Sequence, residues 1–257
     1  MWLIQAFGCH SENSNKLIAE LQKRELPYTL CGVQPFSTEI SGLEDLVVER
    51  ALAYGSTKFV SLIQHTGIKP GVFFDFSSFN VLAWRQLAED YLNKDSIVYN
   101  VKSLTGEIYH DIFIRPVMDL KAFAGTIALK GDTWEDFFSR TFKTDDYDKG
   151  QLVAIRHPLK IKEEQRFFIV NRKIVAHSRY KLNGESSISP RIDLHFMAYV
   201  QNYVRNAWLP NETCVIDFAH VGHDYYMLEF NCFNCSGFYA ADVGKIVEAI
   251  QETYFKD

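Results

Sequence analysis

The sequence predicts an α+β protein whose N-terminal part is α/β. Residues 1–33 have the patterns of a strand, a helix and a second strand, which is the opening of an α/β unit. Helical patterns then prevail as far as residue 95, whereas strand-like patterns become frequent from residue 97. We therefore expect an N-terminal domain over residues 1–95 and a second domain over residues 96–257.

The elements of the N-terminal domain follow from hydrophobic spacing and from glycine or polar residues at their ends. Leu17, Ile18 and Leu21, for example, have the spacing of one helix face. In order, the predicted elements are a strand over 1–7, a helix over 11–26, a strand over 27–33, helices over 43–55 and 57–67, a strand over 70–76 and a helix over 79–93.

The second domain is predicted to be richer in strands. Asp132 precedes Glu135 by three residues, a capping-box pattern that indicates the start of a helix. Residues 171–172 and 222–223 separate strand-like segments and predict two hairpins. In order, the predicted elements are strands over 96–102 and 109–119, a helix over 132–142, strands over 150–158, 164–171 and 172–180, a helix over 192–208, strands over 212–221 and 224–231, and a helix over 240–254.

Composition and charge exclude several classes of protein. The chain has 257 residues, 47% of them hydrophobic, and a net charge of −5. It has no basic arm or run of lysines, so we expect no nucleic-acid partner. The N-terminus lacks the basic region of a signal peptide, and no apolar stretch approaches the roughly 18 residues of a membrane span. We therefore expect a soluble, cytoplasmic protein with no membrane partner.

The five cysteines do not suggest a disulfide framework, because their number is odd and the chain is large. Cys232 and Cys235 have the spacing of zinc ligands, but a structural zinc site needs about four ligands and the sequence has no second pair of this kind. A redox pair should open a helix, and Ser-Gly-Phe-Tyr follows here instead. We therefore expect buried free thiols, with zinc binding and redox chemistry as the alternatives.

Two carboxylates are predicted to meet across the hairpin over 214–231. If its turn is centred near His223, residues whose numbers sum to about 446 face each other, which places Asp217 opposite Glu229. Side chains alternate along a strand, so Asn231 shares the face of Glu229. Paired carboxylates need a cation or a shared proton, and a divalent cation with oxygen ligands fits this set. The alternative is a pair of solvated carboxylates on an exposed sheet face.

Charged residues that could hold a triphosphate precede this hairpin in the sequence. A Mg²⁺ ion usually takes part of its ligand shell from phosphate oxygens, so cations are expected near it. Each residue taken alone is explained as a surface charge, and only the order of the motifs indicates a nucleotide site. The residues are Arg115, Lys121, Lys162, Glu164 and Arg166.

These segments resemble the ATP-grasp superfamily. The stretch "VIDFAHVGHDYYMLEFN" is similar to its metal-binding hairpin, "FIRPVMDLKAFAG" to the strand and loop that hold the ATP phosphates, and "EEQRFFIVNRKIVAHSRY" to the E-x-R strand and hairpin that follow the adenine hinge. The motif order is most similar to the clade named for a signature arginine and two lysines. The resemblance implies an ATP-grasp fold, in which a Rossmann-like domain precedes two α+β subdomains that grip ATP.

The resemblance implies roles for the metal-site and phosphate-site residues. Asp217, Glu229 and Asn231 match the ligands of Mg²⁺, of which two ions are expected. Arg115 stands where many relatives have a phosphate-binding lysine, and Lys121 matches the first signature lysine.

The remaining implied roles concern the nucleotide and the acceptor. They are Lys162 as the second signature lysine, the backbone of Ala154, Ile155 and Arg156 for adenine, Glu164 for the ribose, Arg166 for a phosphate or acyl phosphate, and Asn234, Ser236 and Gly237 for the acceptor substrate. Arg115, Lys121 and Arg166 form the implied catalytic set.

The function implied by the resemblance is an ATP-dependent carboxylate–amine ligase that forms an acyl phosphate and releases ADP. Its expected partners are ATP, a carboxylate and an amine, with a peptide or protein terminus as one candidate substrate. The alternatives are an ATP-dependent phosphotransferase and a non-catalytic nucleotide-binding or structural protein of the same fold.

Overall fold

Three β-sheets organise the part of the chain that the structure covers. The computed structural model describes residues 1–6, 11–33, 39–43, 49–75, 77–118, 123–142 and 150–256. Within these ranges, two sheets have five strands and one has four. None of the helices in these ranges combines the length and the apolar character that a membrane span requires.

The first sheet has a mainly parallel arrangement with a helix on each face. Its strands, in the order β3-β2-β1-β4-β5, are β1 (Trp2–Gln5), β2 (Tyr28–Val33), β3 (Ile40–Ser41), β4 (Arg50–Tyr54) and β5 (Lys69–Gly71). The helices are α1 (Ser11–Lys23) and α2 (Thr57–Gln64). Ile4 packs in one cluster with Leu17 of α1, and its neighbour Leu3 packs in another cluster with Phe59 of α2. The predicted β-α-β opening is confirmed.

The predicted helix over 43–55 is wrong where the structure describes it, because Arg50–Tyr54 is strand β4. Residues 51–54 are all fully buried between the layers above and below the sheet. Such a continuously apolar run is typical of a parallel strand buried on both faces, and its periodicity does not distinguish it from a buried helix. Residues 44–48 lie outside the described ranges.

The next helix and a four-stranded sheet follow. Helix α3 (Val81–Leu87) is shorter than the predicted helix over 79–93. Its N-terminus is capped by Asn80, whose side chain accepts a hydrogen bond from the Ala83 N–H. The sheet, in the order β6-β9-β7-β8, consists of β6 (Ile97–Asn100), β7 (Ile112–Pro116), β8 (Thr126–Ala128) and β9 (Leu152–Arg156).

Helix α4 (Trp134–Thr141) packs on this sheet through Phe137 and Phe138. Its predicted capping box is displaced by one residue. The cap is Thr133, whose Oγ1 accepts from the Asp136 N–H at 3.1 Å, and not Asp132. Asp132 instead forms an ion pair with Arg140.

The third sheet is antiparallel and has the order β12-β11-β10-β13-β14. Its strands are β10 (Ile161–Val170), β11 (Lys173–Leu182), β12 (Glu185–Ser189), β13 (Cys214–Val221) and β14 (Asp224–Asn231). Helices α5 (Leu194–Asn206) and α6 (Val243–Ile250) accompany it, and α6 continues as a π-helical turn over Gln251–Phe255. The polar strand β12 is an element that the sequence did not predict.

Both faces of the third sheet are covered. Phe167 of β10 packs in the cluster that contains Phe196 of α5, whereas its neighbour Phe168 packs in the cluster that contains Ile246 of α6. The second cluster also contains Trp2 of the first sheet. Because the two parts of the chain share this core, the division into domains 1–95 and 96–257 stays a prediction.

Candidate active site

A cleft of about 920 Å³ collects side chains from segments that are far apart in the sequence. It is lined by residues of α1, β7, β10, β11, β12, β13 and β14, and by the loop that follows β14. Among the residues that the structure describes, four acidic and four basic side chains line it. They are Glu12, Glu164, Asp217 and Glu229, and Lys16, Arg115, Arg166 and Lys181.

The β13–β14 hairpin has the predicted pairing of Asp217 with Glu229. The turn is one residue tighter than predicted, since Val221 pairs directly with Asp224 and the loop is Gly222–His223, with Gly222 at φ +63°. An irregularity between Asp217 and Phe218 then adds one residue to β14 and restores the predicted register. The two carboxylates therefore face each other because of a β-bulge at Leu228.

Asp217 is held by Arg166 of the neighbouring strand β10. The side chain of Asp217 is 1% exposed, and Arg166 donates from Nε to Oδ1 and from Nη2 to Oδ2, both at 2.8 Å. This two-point contact is the geometry in which arginine and carboxylate pair most strongly. Burial raises the pKa of Asp217 to about 6, although the charge of Arg166 and its hydrogen bonds act to lower it.

Glu229 is held by Arg115 of β7, with Nη2 at 3.0 Å from Oε2. Burial acts to raise the pKa of Glu229, but the nearby charges of Arg115 and Arg166 outweigh it, so the pKa is lowered. The guanidinium of Arg115 also lies 5.4 Å from the centre of the Trp84 ring. Two acidic side chains from one hairpin are thus each matched by an arginine from a different strand.

Asn231 connects the two carboxylates. Its Nδ2 atom lies 3.2 Å from Oδ2 of Asp217 and 3.3 Å from Oε1 of Glu229. In the described ranges, no group of three or more His, Cys, Asp or Glu side chains is placed to hold a metal ion. Two carboxylates and an amide nevertheless fit Mg²⁺, which keeps several waters and takes phosphate oxygens as ligands. Oδ1 of Asp217 keeps a lone pair beyond the one used by Arg166, whereas Oδ2 also accepts from Asn231.

Two tyrosines that the sequence did not predict enclose Arg166. Tyr180 and Tyr239 stack with ring centres 5.2 Å apart, and the Arg166 guanidinium carbon lies 5.8 and 5.2 Å from these rings. The Tyr180 hydroxyl is 3.4 Å from Oδ2 of Asp217. These contacts restrict the side chain of Arg166, and no local pattern in the sequence indicates them.

Helix α1 also reaches the cleft, which the sequence did not predict. The Phe238 N–H donates to Oδ1 of Asn13 at 3.0 Å, and Lys16 donates from Nζ to the Tyr239 carbonyl at 3.2 Å. Lys16 is paired with Glu12 at 2.9 Å. The contacts of Asn13 with Phe238 and of Lys16 with Tyr239 join residues more than 220 positions apart, so only the tertiary fold brings them together.

Asn234 and Ser236 were predicted to bind the acceptor substrate, and the structure uses their polar groups within the protein. The Asn234 side chain is fully buried; it accepts from the Phe73 N–H and donates to the Ala53 carbonyl, both at 2.7 Å. Ser236 donates to the Cys232 carbonyl at 2.7 Å. Ser236 lines the cleft, whereas Asn234 does not.

Gly237 lies at the cleft beside Arg166, whose Nη1 donates to the Gly237 carbonyl at 3.3 Å. The two cysteines of the same loop, Cys232 and Cys235, are buried thiols, as predicted. Burial raises the pKa of the Cys232 thiol well above its ordinary value.

The residues predicted to contact the ribose and phosphates do not all lie at the cleft. Glu164 lines the cleft, but Lys162 is exposed and lies outside the lining. The neighbour that Glu164 contacts is Lys181, at 3.5 Å from Nζ to Oε1. Lys121 lies outside the described ranges.

The predicted adenine contacts belong to β9, an inner strand of the four-stranded sheet. Ala154 faces Val98 of β6 and Arg115 of β7, and Ile155 is likewise paired on both sides. Arg156, at the end of the strand, pairs with Phe113 of β7, and its side chain forms an ion pair with Asp95. Because these backbone groups take part in sheet pairing, a role for Ala154, Ile155 and Arg156 at the base stays a prediction.

The comparisons with known proteins agree with this architecture. A family model described as an ATP-grasp domain, family 2 of the clade named for an arginine and two lysines, matches residues 91–249. One similar solved structure is D-alanine–D-alanine ligase from Bacillus anthracis, with 13% identity and a TM-score of 0.65 over 99% of this chain and 96% of that chain. A second is a RimK domain ATP-grasp protein from Sphaerobacter thermophilus DSM 20745, with 11% identity and a TM-score of 0.61 over 99% of each chain. A third is the ATP-grasp ligase PsnB complexed with minimal precursor, with 11% identity and a TM-score of 0.55 over 98% of this chain and 97% of that chain.

At these identities the likeness shows the fold, which is the ATP-grasp fold, and the predicted α+β class is confirmed. A search of curated protein sequences finds no match. A further structure of the Bacillus anthracis ligase was solved with ATP, and one of PsnB was solved with Mg and ADP.

Proposed function

Because the chain belongs to the ATP-grasp domains, in family 2 of the clade named for an arginine and two lysines, we propose that it is an ATP-dependent ligase that joins a carboxylate to an amine. In this reaction the carboxylate takes the terminal phosphoryl group of ATP, and the amine then displaces phosphate from the acyl phosphate. The observation that carries the proposal is the pair of ion pairs at the cleft, Arg115 with Glu229 and Arg166 with Asp217.

We assign Asp217, Glu229 and Asn231 as the residues that would hold Mg²⁺, with two ions as the expectation for the loaded site. Bound magnesium would offset charge on the phosphates and orient them. Glu229 is the more accessible of the two carboxylates, with a side chain 30% exposed against 1% for Asp217. We therefore expect Mg²⁺ to reach the site past the Glu229 carboxylate, and the buried Asp217 carboxylate to hold a fixed position.

The two arginines supply the positive charge that phosphoryl transfer requires. Fixed positive groups beside a transferring phosphoryl group stabilise the transition state without reorganising during the step. Arg115 and Arg166 are placed for this role because sheet pairing and two ring contacts already restrict them.

We assign the adenine ring of ATP to the apolar part of the cleft and the acceptor substrate to the opposite part. Phe113, Ile161 and Leu228 line the apolar part, and Ile161 begins the strand that carries Arg166. Gly237, next to the residues of α1, lines the acceptor part. Two structural neighbours are described as ligases, which supports ligation over phosphoryl transfer alone. A peptide or protein terminus stays a candidate substrate.

The test compares Glu229→Gln with Asp224→Asn, an exposed carboxylate on the same strand. Affinity for ATP with Mg²⁺ and ADP release are measured against a library of amino acids, peptides and carboxylates. We expect the Glu229 variant to lose at least about tenfold in Mg²⁺-dependent ATP affinity, a loss of about 1.4 kcal/mol, and the Asp224 variant to behave as wild type. Unchanged binding and turnover in the Glu229 variant would show the metal assignment to be wrong.

The products separate the alternatives. ADP release that requires both a carboxylate and an amine supports the ligase. ADP release with a phosphorylated product and no need for an amine indicates a phosphotransferase. An absence of ATP binding indicates a protein that has kept the fold for another purpose.

A further inference from the structure

Strand β11 carries a β-bulge at the cleft. Glu164 pairs with Lys181 and the next residue, Gln165, pairs with Arg179, so Tyr180 is the extra residue. A bulge redirects side chains that would otherwise alternate between the two faces of a sheet. As a result, two consecutive residues, Tyr180 and Lys181, both line the cleft.

The other contacts of this strand agree with that direction. Arg179 lies outside the cleft lining; it donates to the Ser187 carbonyl and pairs with Glu163 at 3.8 Å. Without the bulge, Lys181 would share the face of Arg179 and point away from the cleft. The bulge therefore puts the Lys181 ammonium at the cleft.

The charged residues that the structure describes in the cleft lining form four ion pairs, and these differ in length and exposure. The pairs are Glu12 with Lys16, Arg115 with Glu229, Arg166 with Asp217, and Lys181 with Glu164. The two arginine side chains are about 10% exposed, whereas the Lys181 side chain is 46% exposed and its contact, at 3.5 Å, is the longest of the four. The Lys181 ammonium is half exposed, so an incoming anion can reach it, whereas the Glu164 side chain is only 10% exposed and needs another polar partner once the ammonium leaves.

From this geometry we propose that Lys181 is a phosphate-contacting residue of the nucleotide site, an inference that rests on the proposed function. In the absence of nucleotide the ammonium pairs with Glu164. When ATP binds, the ammonium transfers to the polyphosphate, and the Glu164 carboxylate becomes available to a sugar hydroxyl. Lys162, which the sequence suggested for a phosphate, is exposed and outside the cleft lining.

The test compares Lys181→Met with Lys173→Met, which removes the same charge from an exposed position at the start of the same strand, outside the cleft lining. Binding of ATP with Mg²⁺ and of adenosine is measured by calorimetric titration on the full chain. Because a contact between charged groups is lost, we expect Lys181→Met to weaken ATP binding by roughly 10- to 100-fold. Adenosine binding should be unchanged by Lys181→Met, the Lys173 variant should bind ATP as wild type does, and Lys181→Arg should recover most of the loss.

Three results would overturn the inference. ATP binding by Lys181→Met at the wild-type level would show that Lys181 does not contact the phosphates. An equal loss of adenosine and ATP binding would show that the lysine acts on the whole site and not on the phosphates. If the wild-type chain itself binds no ATP, the proposed function fails and the inference fails with it.

Discussion

Asn234 offers the sharpest test of how the loop after β14 is built. Its side chain is fully buried and joins that loop to the first sheet, through the Ala53 carbonyl and the Phe73 N–H. The resemblance to ATP-grasp proteins implied that Asn234 binds the acceptor. We predict instead that Asn234→Ala destabilises the protein and leaves nucleotide affinity unchanged in the fraction that stays folded.

The size of the loss follows from the two hydrogen bonds, both 2.7 Å long. A hydrogen bond contributes about 0.5–1.5 kcal/mol net, and a buried group left without a partner costs about 1–3 kcal/mol. Because Asn234→Ala leaves the Phe73 N–H and the Ala53 carbonyl without this partner, we expect a loss of about 2–4 kcal/mol. That is a large part of the roughly 5–15 kcal/mol typical of a domain.

The assay is urea unfolding of Asn234→Ala, Asn234→Asp and the control Asn202→Ala, which changes an exposed residue of α5. Asn234→Asp keeps the acceptor for the Phe73 N–H but places a buried carboxylate oxygen against the Ala53 carbonyl, so we expect it to be at least as destabilising as Asn234→Ala. The control should stay within about 0.5 kcal/mol of wild type. Wild-type stability of Asn234→Ala, combined with weaker binding of an acceptor substrate, would refute the structural role.

Two further predictions concern buried charge. Arg166→Met and Asp217→Leu should each lower the free energy of unfolding by about 3–5 kcal/mol, because each leaves a buried charge unpaired. The double variant should lose much less than the sum of the two single losses, and strict additivity in urea unfolding would contradict this. Burial, with a smaller effect of Lys245, lowers the pKa of His177 from 6.5, so its contribution to stability is present above that pH and lost as the pH falls below it. The free energy of unfolding should therefore drop from about pH 7.5 to about pH 5.5 by more in wild type than in His177→Gln, and parallel pH curves would exclude this role for His177.

The sequence predicted an element correctly where the conformation of that element is determined by its own residues. The predicted hairpin at 171–172 is present, and both residues have positive φ, +47° and +57°, as a tight two-residue turn requires. The strand Arg50–Tyr54 was not predictable in the same way, because its character depends on the layers that bury it. The sequence contains the apolar run but not the neighbours that decide between a helix and a strand.

Parts of the candidate site were predictable for the same reason. Asp217, Glu229 and Asn231 lie on one hairpin, so alternation from the predicted turn placed them on one face; the actual turn is one residue tighter, and the bulge at Leu228 offsets the difference. The residues from α1 and the stacked Tyr180 and Tyr239 were missed, because they meet the hairpin only through tertiary contacts.

The two bulges explain why the hairpin argument succeeded and where alternation alone fails. With the observed two-residue turn and no bulge, Asp217 would pair with Leu228, and Glu229 would lie on the opposite face of the sheet. The bulge at Leu228 compensates for the tighter turn, so both Leu228 and Glu229 line the cleft. The bulge at Tyr180 does the same for Lys181 on the other side of β10 and β13. One extra residue on each flanking strand thus brings opposite charges, Glu229 and Lys181, to the same cleft, and a strictly alternating sheet would present neither of them there.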